Sequence, residues 1–335
     1  LLSIILARMP CCEHAAMSVR VVKSGLLTTV QDLGRTGSRH MGVGRAGALD
    51  AYSHTIANLL VGNRTDSATL EITLAGPRLH FGQAARIAIC GADIDAHVGK
   101  IAIPGWRPIL LPAGSVLVLG SCGRGARAYL SVEGGGFVVP KVLGSASTDL
   151  RGGFGGFQGR ALSAHDELDI GRATIDVADV HITPWWIDPT PELDFDAPAI
   201  IRFLPGSDGT VPQDGVFAHQ WRIANTSDRQ GLRLEGVPLQ PADTAERASA
   251  PVVPGAIQLP ADGRPIILLA DAQTHGGYPV IGHAIRADWP RLAQLRPGDA
   301  LHFQACTQKQ AKQARLDQAQ QLARIALAIA VRHGT

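Results

Sequence analysis

The sequence predicts a mainly β protein made of two β-rich domains and a terminal helix. Three observations carry that prediction. Short apolar runs recur at strand spacing with Gly or Pro turns between them, a stretch of closely spaced prolines breaks the rhythm mid-chain, and the segment 307–331 turns rich in Ala, Gln and Arg. A chain of 335 residues with 38 Gly and 18% charged residues suits tight turns between apolar strands better than long solvated helices.

Residues 1–16 open on apolar Leu1, Leu2, Ile4, Ile5 and Leu6, but no basic segment precedes them and Arg8 interrupts the run. Met17 stands directly before the first patterned strand, 19–22, so 1–16 read as a leader outside the fold. The first domain is expected over 17–183, with strands at 72–74, 85–90, 101–103, 116–119 and 126–132. One helix is expected at 49–61, where Leu49, Ser53, Ile56 and Leu60 share a stripe and Gly62 offers a left-handed stop. Three related turns, L-P-A-G-S-V-L (111–117), L-S-A-H-D-E-L (162–168) and L-R-P-G-D-A-L (295–301), each deliver the chain into a strand. Pro184, Pro189, Pro191 and Pro198 mark 184–198 as a linker, and strand-like 200–204 restarts the pattern in a second domain over 199–306. The remainder, 307–335, is an amphipathic helix with Leu316, Ala319, Leu322, Ala323, Ala326 and Ile329 at helical spacing.

Composition narrows the function. With 31 Lys+Arg against 29 Asp+Glu and no basic run, the chain lacks the concentrated positive face that nucleic acid binding needs. No apolar stretch of about 18 residues is present, so no membrane span is expected. Five cysteines (Cys11, Cys12, Cys90, Cys122, Cys306), without a C-x-x-C pair or a His cluster, read as reduced thiols of a cytoplasmic protein with no structural metal. G-V-G-R-A-G (42–47) has the letters of a dinucleotide loop but no apolar strand before it, and the P-loop pattern is absent. R-G-G-F-G-G-F-Q-G-R (151–160) reads as a flexible loop close to a ligand or a subunit interface.

Two stretches crowd polar groups into apolar sequence. The first, T-T-V-Q-D-L-G-R (28–35) with G-A-L-D (47–50), offers Gln31, Asp32, Arg35 and Asp50 to hold an amide or a carboxylate, although taken alone this stretch favours an Asp32 that caps a turn and pairs with Arg35. The second joins S-D-R-Q-G-L-R-L-E-G (227–236), P-G-A-I-Q-L-P (254–260) and L-L-A-D-A-Q-T-H-G-G-Y-P (268–279). Here Asp271 ends an apolar strand, and Gln273, Thr274, His275 and Tyr278 surround Gly276 and Gly277, where glycine lets backbone N–H groups approach a ligand. Arg229 and Arg233 could bind carboxylate or phosphate, Gln258 adds an amide, and Asp271 or His275 is the candidate catalytic base.

These stretches, together with A-N-L-L-V-G-N (57–63) and L-E-I-T-L-A-G-P (70–77), resemble the biotin-dependent carboxyltransferase-like family, also called allophanate hydrolase subunit 2 or KipA, which includes the C subunit of 5-oxoprolinase. The likeness runs from about residue 17 to residue 303 in motif order. The resemblance implies two cyclophilin-like β-barrel domains and a protein that works beside A-like and B-like subunits in the ATP-dependent opening of 5-oxo-L-proline to L-glutamate. It also implies two alternatives: the carboxyltransferase component of a biotin-dependent urea or amide carboxylase, and a regulatory protein that binds a kinase inhibitor. Where members often show R-M-G-Y-R this chain has Arg229, Gln230, Gly231, Leu232 and Arg233, and Val280 replaces a basic residue. No biotin-attachment M-K-M or ATP-grasp segment is present, so a biotin-linked activity would need other chains.

Overall fold

The computed structural model describes residues 18–171, 175–190, 192–206, 219–239 and 248–334. The expected leader, Cys11, Cys12 and Pro191 of the linker lie outside the described residues. In the first half, one eleven-stranded sheet is made by β1 (Ser18–Lys23), β2 (Leu27–Gln31), β3 (Thr69–Thr73), β4 (Arg78–Phe81), β5 (Ala85–Val98), β6 (Ile101–Ala102), β7 (Ile109–Leu111), β8 (Val116–Val132), β9 (Phe137–Val138), β10 (Glu167–Ile170) and β11 (His181–Ile182). Helix α1 (Ala51–Leu60) is inserted between β2 and β3.

In the second half, β12 (Ala199–Pro205), β13 (Trp221–Ile223), β14 (Gly231–Glu235), β16 (Ala256–Gln258), β17 (Ile266–Leu268), β19 (Val280–Ala284) and β20 (Ala300–Ala305) close a seven-stranded barrel. Closure comes from β12 and β20, which pair in parallel from Ala199↔Leu301 to Phe203↔Ala305. A separate ribbon pairs β15 (Ala250–Pro251) with β18 (His275–Gly276), α2 (Trp289–Gln294) leads toward β20, and α3 (Gln308–His333) follows it. The mainly β architecture is the expected one.

Each half has its own apolar core, Val19, Leu70, Ile72, Leu79, Ile87 and Leu130 among others in the first, Ile201, Phe203, Trp221, Ile257, Leu301 and Phe303 in the second. Period-2 alternation decides what the sheet does with its other face. On β3, Leu70 and Ile72 enter the core, while Thr69, Glu71 and Thr73 point to the opposite side and are nevertheless buried. The register puts Thr29 opposite Glu71 and Glu71 opposite Tyr129, so a polar stripe crosses β2, β3 and β8. That stripe faces the seam between the halves.

Two expected strands, 116–119 and 126–132, are one strand of 17 residues, β8. The glycines between them do not turn the chain. They let β8 pass β5 through successive register shifts, and a Cβ on Gly91 of β5 would lie 2.3 Å from the Arg127 carbonyl oxygen. Helix α1 begins at Ala51 because Asp50 caps it, accepting from the Ser53 N–H at 2.9 Å. Gly62 takes φ +78° just beyond its end. Helix α3 starts at a Thr307–Gln310 capping box and brings Ile329 into a cluster with Tyr52, Ile56 and Leu60 of α1.

Candidate functional site

A buried polar cluster occupies the seam, with Arg229 at its centre. The second half supplies Arg229 and Asp271, held in a fork by Nε to Oδ2 at 2.8 Å and Nη2 to Oδ1 at 3.0 Å. The remaining guanidinium donors cross to the first half, Nη1 to the Glu71 carboxylate and Nη2 to the Gly47 carbonyl at 2.8 Å. Glu71 Oε2 accepts in addition from the Tyr129 hydroxyl at 2.8 Å and the Leu49 N–H at 2.9 Å. The Tyr129 oxygen takes the Asp50 N–H at 2.8 Å, and Asp50 Oδ2 accepts from the Gln294 side chain of α2 at 2.8 Å. One chain of hydrogen bonds therefore runs Asp271–Arg229–Glu71–Tyr129–Asp50–Gln294.

Burial sets the electrostatics of this chain. It opposes a charged Arg229, but Asp271 and Glu71 outweigh it and hold the guanidinium above its ordinary pKa. Burial would raise Glu71 as well, yet Arg229, Arg127 and the two donors on Oε2 pull it below the usual range. At Asp271 burial, helped by Glu71 and Asp149, prevails over the pull of Arg229 and raises the carboxyl. Asp50, with only neutral donors around it, is pushed by burial up to about 6.

Over this base opens a cleft of about 420 Å³ bounded by three loops: Met41 to Gly44, Asp149 to Phe154, and Asp271 to His275. Both Gly-rich stretches singled out in the sequence therefore reach one cleft, and the A-D-A-Q-T-H stretch closes it from the other half. Asp271, Gln273, Thr274 and His275 line it. The Thr274 hydroxyl lies 3.1 Å from His275 Nδ1, and His275 is exposed.

The other candidates stand behind or away from the cleft. Gln31 is buried in the seam, its Oε1 accepting the Gly47 N–H at 3.2 Å. Asp32 is buried and accepts from the Ser145 and Ser147 hydroxyls at 2.6 Å each and from the N–H groups of Gly34 and Ala146 at 2.8 and 2.7 Å. These bonds outweigh burial and hold its pKa below the usual range. The expected Asp32–Arg35 pair is therefore replaced: serine hydroxyls and backbone satisfy Asp32, and Arg35 turns to the Ser147 carbonyl at 2.5 Å and stacks on Phe154 with Cζ 4.8 Å from the ring centre. Asp50 belongs to the chain described above. Arg229 sits behind Asp271, buried and not among the residues that line the cleft. Arg233 lies on the exposed side of β14 and Tyr278 is 51% exposed, neither of them lining the cleft. The amide of Gln258 is buried beneath Gly276, where an added Cβ would meet it at 2.6 Å.

Four residues that the sequence reading did not nominate matter here: Glu71, Tyr129, Gln294 and Asp149. Glu71 was visible as the polar member of an apolar alternation, L-E-I-T. Among the described residues no group of three or more His, Cys, Asp or Glu side chains could hold a metal ion, no helix is long and apolar enough to cross a membrane, and Cys90, Cys122 and Cys306 are free thiols.

Residues 41–305 match the family model described as "carboxyltransferase domain, subdomain A and B". The chain belongs to this family. It is 38% identical over 308 residues to the 5-oxoprolinase C subunit of Escherichia coli, an alignment covering 90% of this chain and 95% of that protein. It is 35% identical over 291 residues to the 5-oxoprolinase C subunit of Haemophilus influenzae, covering 86% and 91%. The crystal structure of Kluyveromyces lactis urea carboxylase superimposes with a TM-score of 0.85 at 29% identity, covering 92% of this chain but only 29% of that enzyme.

Proposed function

We propose that this chain is the C subunit of a cytoplasmic, ATP-dependent 5-oxoprolinase, acting with A-like and B-like subunits to open the lactam of 5-oxo-L-proline to L-glutamate. The observation that carries the reading is the similarity to the 5-oxoprolinase C subunit along nearly the whole of that relative. The three-loop cleft is the substrate site. Asp271, which lines the cleft with a raised pKa and an orientation fixed by Arg229, or His275 at the rim, is the base that activates water. Gln273 and Thr274 supply hydrogen bonds to the lactam, and Arg151, which lines the same cleft, faces the substrate carboxylate.

The chemistry asks for phosphoryl transfer from ATP to the lactam oxygen with release of ADP, addition of water at the activated carbon, cleavage of the C–N bond to leave an acyl phosphate, and hydrolysis of that acyl phosphate by a second water to glutamate and phosphate. Among the described residues, the G-V-G-R-A-G segment does not fit a triphosphate. The helix that follows G-V-G-R-A-G is capped by Asp50, whose carboxylate already takes the Ser53 N–H that a phosphate would need. ATP is accordingly assigned to one of the partners, and this chain presents the lactam. Purified A-like and B-like subunits, assayed together with this chain for ATP-dependent glutamate formation, test the proposal: turnover unchanged when this chain is omitted would overturn it.

The structural likeness to urea carboxylase favours one second reading, a carboxyltransferase that passes a carboxyl group from carboxybiotin to an amide. This chain would then need a separate biotin carrier. Carboxylation of urea by the chain with such a carrier, and no glutamate from 5-oxoproline, would select it.

A further inference from the structure

Of the two carboxylates that line the cleft, Asp149 has an uncommitted oxygen. Its Oδ1 accepts the Gly152 N–H at 2.8 Å, which anchors the Gly-rich loop. Its Oδ2 has no hydrogen bond among the described residues; Arg35 Nη1 is 3.9 Å away, too far to donate. An ideal Cβ on Gly44 would sit 3.8 Å from this oxygen and 3.6 Å from the Ala272 carbonyl oxygen, which places Oδ2 on the cleft wall where the two halves meet. Behind it, Arg35 Nε and Nη1 are sealed from solvent without acceptors. Asp271, by contrast, has both oxygens in the Arg229 fork.

A carboxylate oxygen backed by a buried guanidinium and open to a cleft is a hydrogen-bond acceptor for a neutral donor, because the positive charge behind it disfavours a second cation. We propose that Asp149 is a specificity-determining residue whose Oδ2 accepts the hydrogen bond of the ring N–H of a lactam held in the cleft. Arg35, 3.9 Å behind it, supplies the positive charge that favours a neutral donor over a cation. The inference rests on the 5-oxoprolinase reading and adds to it the recognition of the amide N–H.

The test compares 5-oxoproline with the lactone that carries a ring oxygen in place of N–H, by calorimetric binding to the reconstituted complex without ATP. Asp149→Asn keeps an oxygen for the Gly152 N–H and turns a donor toward the ligand. The wild-type complex should bind the lactone about tenfold or more weaker than the lactam, because the lactone leaves a charged acceptor unpaired. In D149N that ratio should fall to about one or invert, since its amide donates to the lactone oxygen. An unchanged ratio in D149N overturns the role of Asp149, and so does a wild-type ratio near one, which requires no variant to fold. Glutamate formation by the wild-type complex reads the parent proposal separately: with glutamate formed and the ratio unmoved, only the Asp149 inference falls. A wild-type complex that neither binds the lactam nor forms glutamate overturns both.

Discussion

Replacing Arg229 by Ala removes a charged side chain that binds both halves at once, through Asp271 on one side and Glu71 and Gly47 on the other. The two carboxylates it leaves behind are not equally stranded. Glu71 keeps the Tyr129 hydroxyl, the Leu49 N–H and the attraction of Arg127, whereas Asp271 loses the guanidinium that holds both of its oxygens. Breaking a buried pair by removing one partner costs about 3–5 kcal/mol. Because Asp271 can protonate and Glu71 stays bonded, the lower end, about 3 kcal/mol, is expected. With urea m-values of about 1–3 kcal/mol per M, that lowers the midpoint by about 1 M or more. Part of the loss should return in acid. An Asp271 without Arg229 has a folded pKa above its unfolded one, so the native state binds the extra proton and stability falls as pH rises past the unfolded value. The exposed pair Arg124–Asp196, at 53% and 81% side-chain exposure, is the control, and Arg124→Ala should cost about 0–1 kcal/mol. Urea unfolding of both variants followed by circular dichroism decides. An Arg229→Ala cost no larger than that of Arg124→Ala would refute the reasoning that the seam is a desolvated charge cluster.

Asp50, at about 6 in the folded protein against 3.8 for the ordinary carboxyl, also binds its proton more tightly when folded. The stability it contributes is present below the unfolded value and is lost as pH rises through 6, about 3 kcal/mol in all. The difference in urea midpoint between wild type and Asp50→Asn should vary with pH over that window, and a constant difference would contradict the assignment. Asp32 has the opposite sign. Its lowered folded pKa adds stability above the unfolded value that is lost as pH falls, so Asp32→Asn should be more damaging at about pH 7 than at about pH 3 in the same measurement. In the Gly-rich loop, Gly153 and Gly156 both have positive φ, but only at Gly156 would a Cβ collide, 1.8 Å from Thr148 Oγ1. Gly153→Ala should cost about 1–2 kcal/mol in thermal unfolding, and Gly156→Ala clearly more.

The strand rhythm was legible because alternation and turn chemistry are local. Asp50 and Ser53 announce the start of α1, and Thr307 and Gln310 that of α3, each from a pair of neighbours in sequence. What was not legible depends on partners far along the chain. Arg229 could be recognised as a candidate, but its role follows from Glu71, 158 positions away, which only the fold brings near. Asp32 and Arg35 looked like a local pair, and lost each other to Ser145 and Ser147, 113 and 112 positions distant. The cleft itself was half visible, since A-D-A-Q-T-H read as a ligand loop and the Gly-rich 151–160 stretch as a loop close to a ligand or a subunit interface. Asp149, just ahead of that second loop, carries no local signal because its significance is an oxygen left without a partner.

The same geometry explains why the two halves act as one site. A carboxylate in a cleft is useful only if its orientation is fixed, and Asp271 is fixed by an arginine of its own half. That arginine is in turn held by Glu71 and Gly47 of the other. Each half completes the other's buried charges: without the second, Glu71 keeps Tyr129, Leu49 and Arg127 but loses its ion pair, and without the first, Arg229 keeps Asp271 as its single counter-ion. Association of the halves therefore completes the ion pairs and fixes Asp271 at the cleft wall in a single step. If Asp271 rather than His275 is the base proposed above, a change at Arg229 should abolish turnover by misplacing Asp271 although Arg229 does not line the cleft, and its conservative replacement, Arg229→Lys, should fail too, because one ammonium cannot serve Asp271, Glu71 and Gly47 with fork geometry. Glutamate formation by a folded Arg229→Lys complex at the wild-type rate would break that link between seam and site.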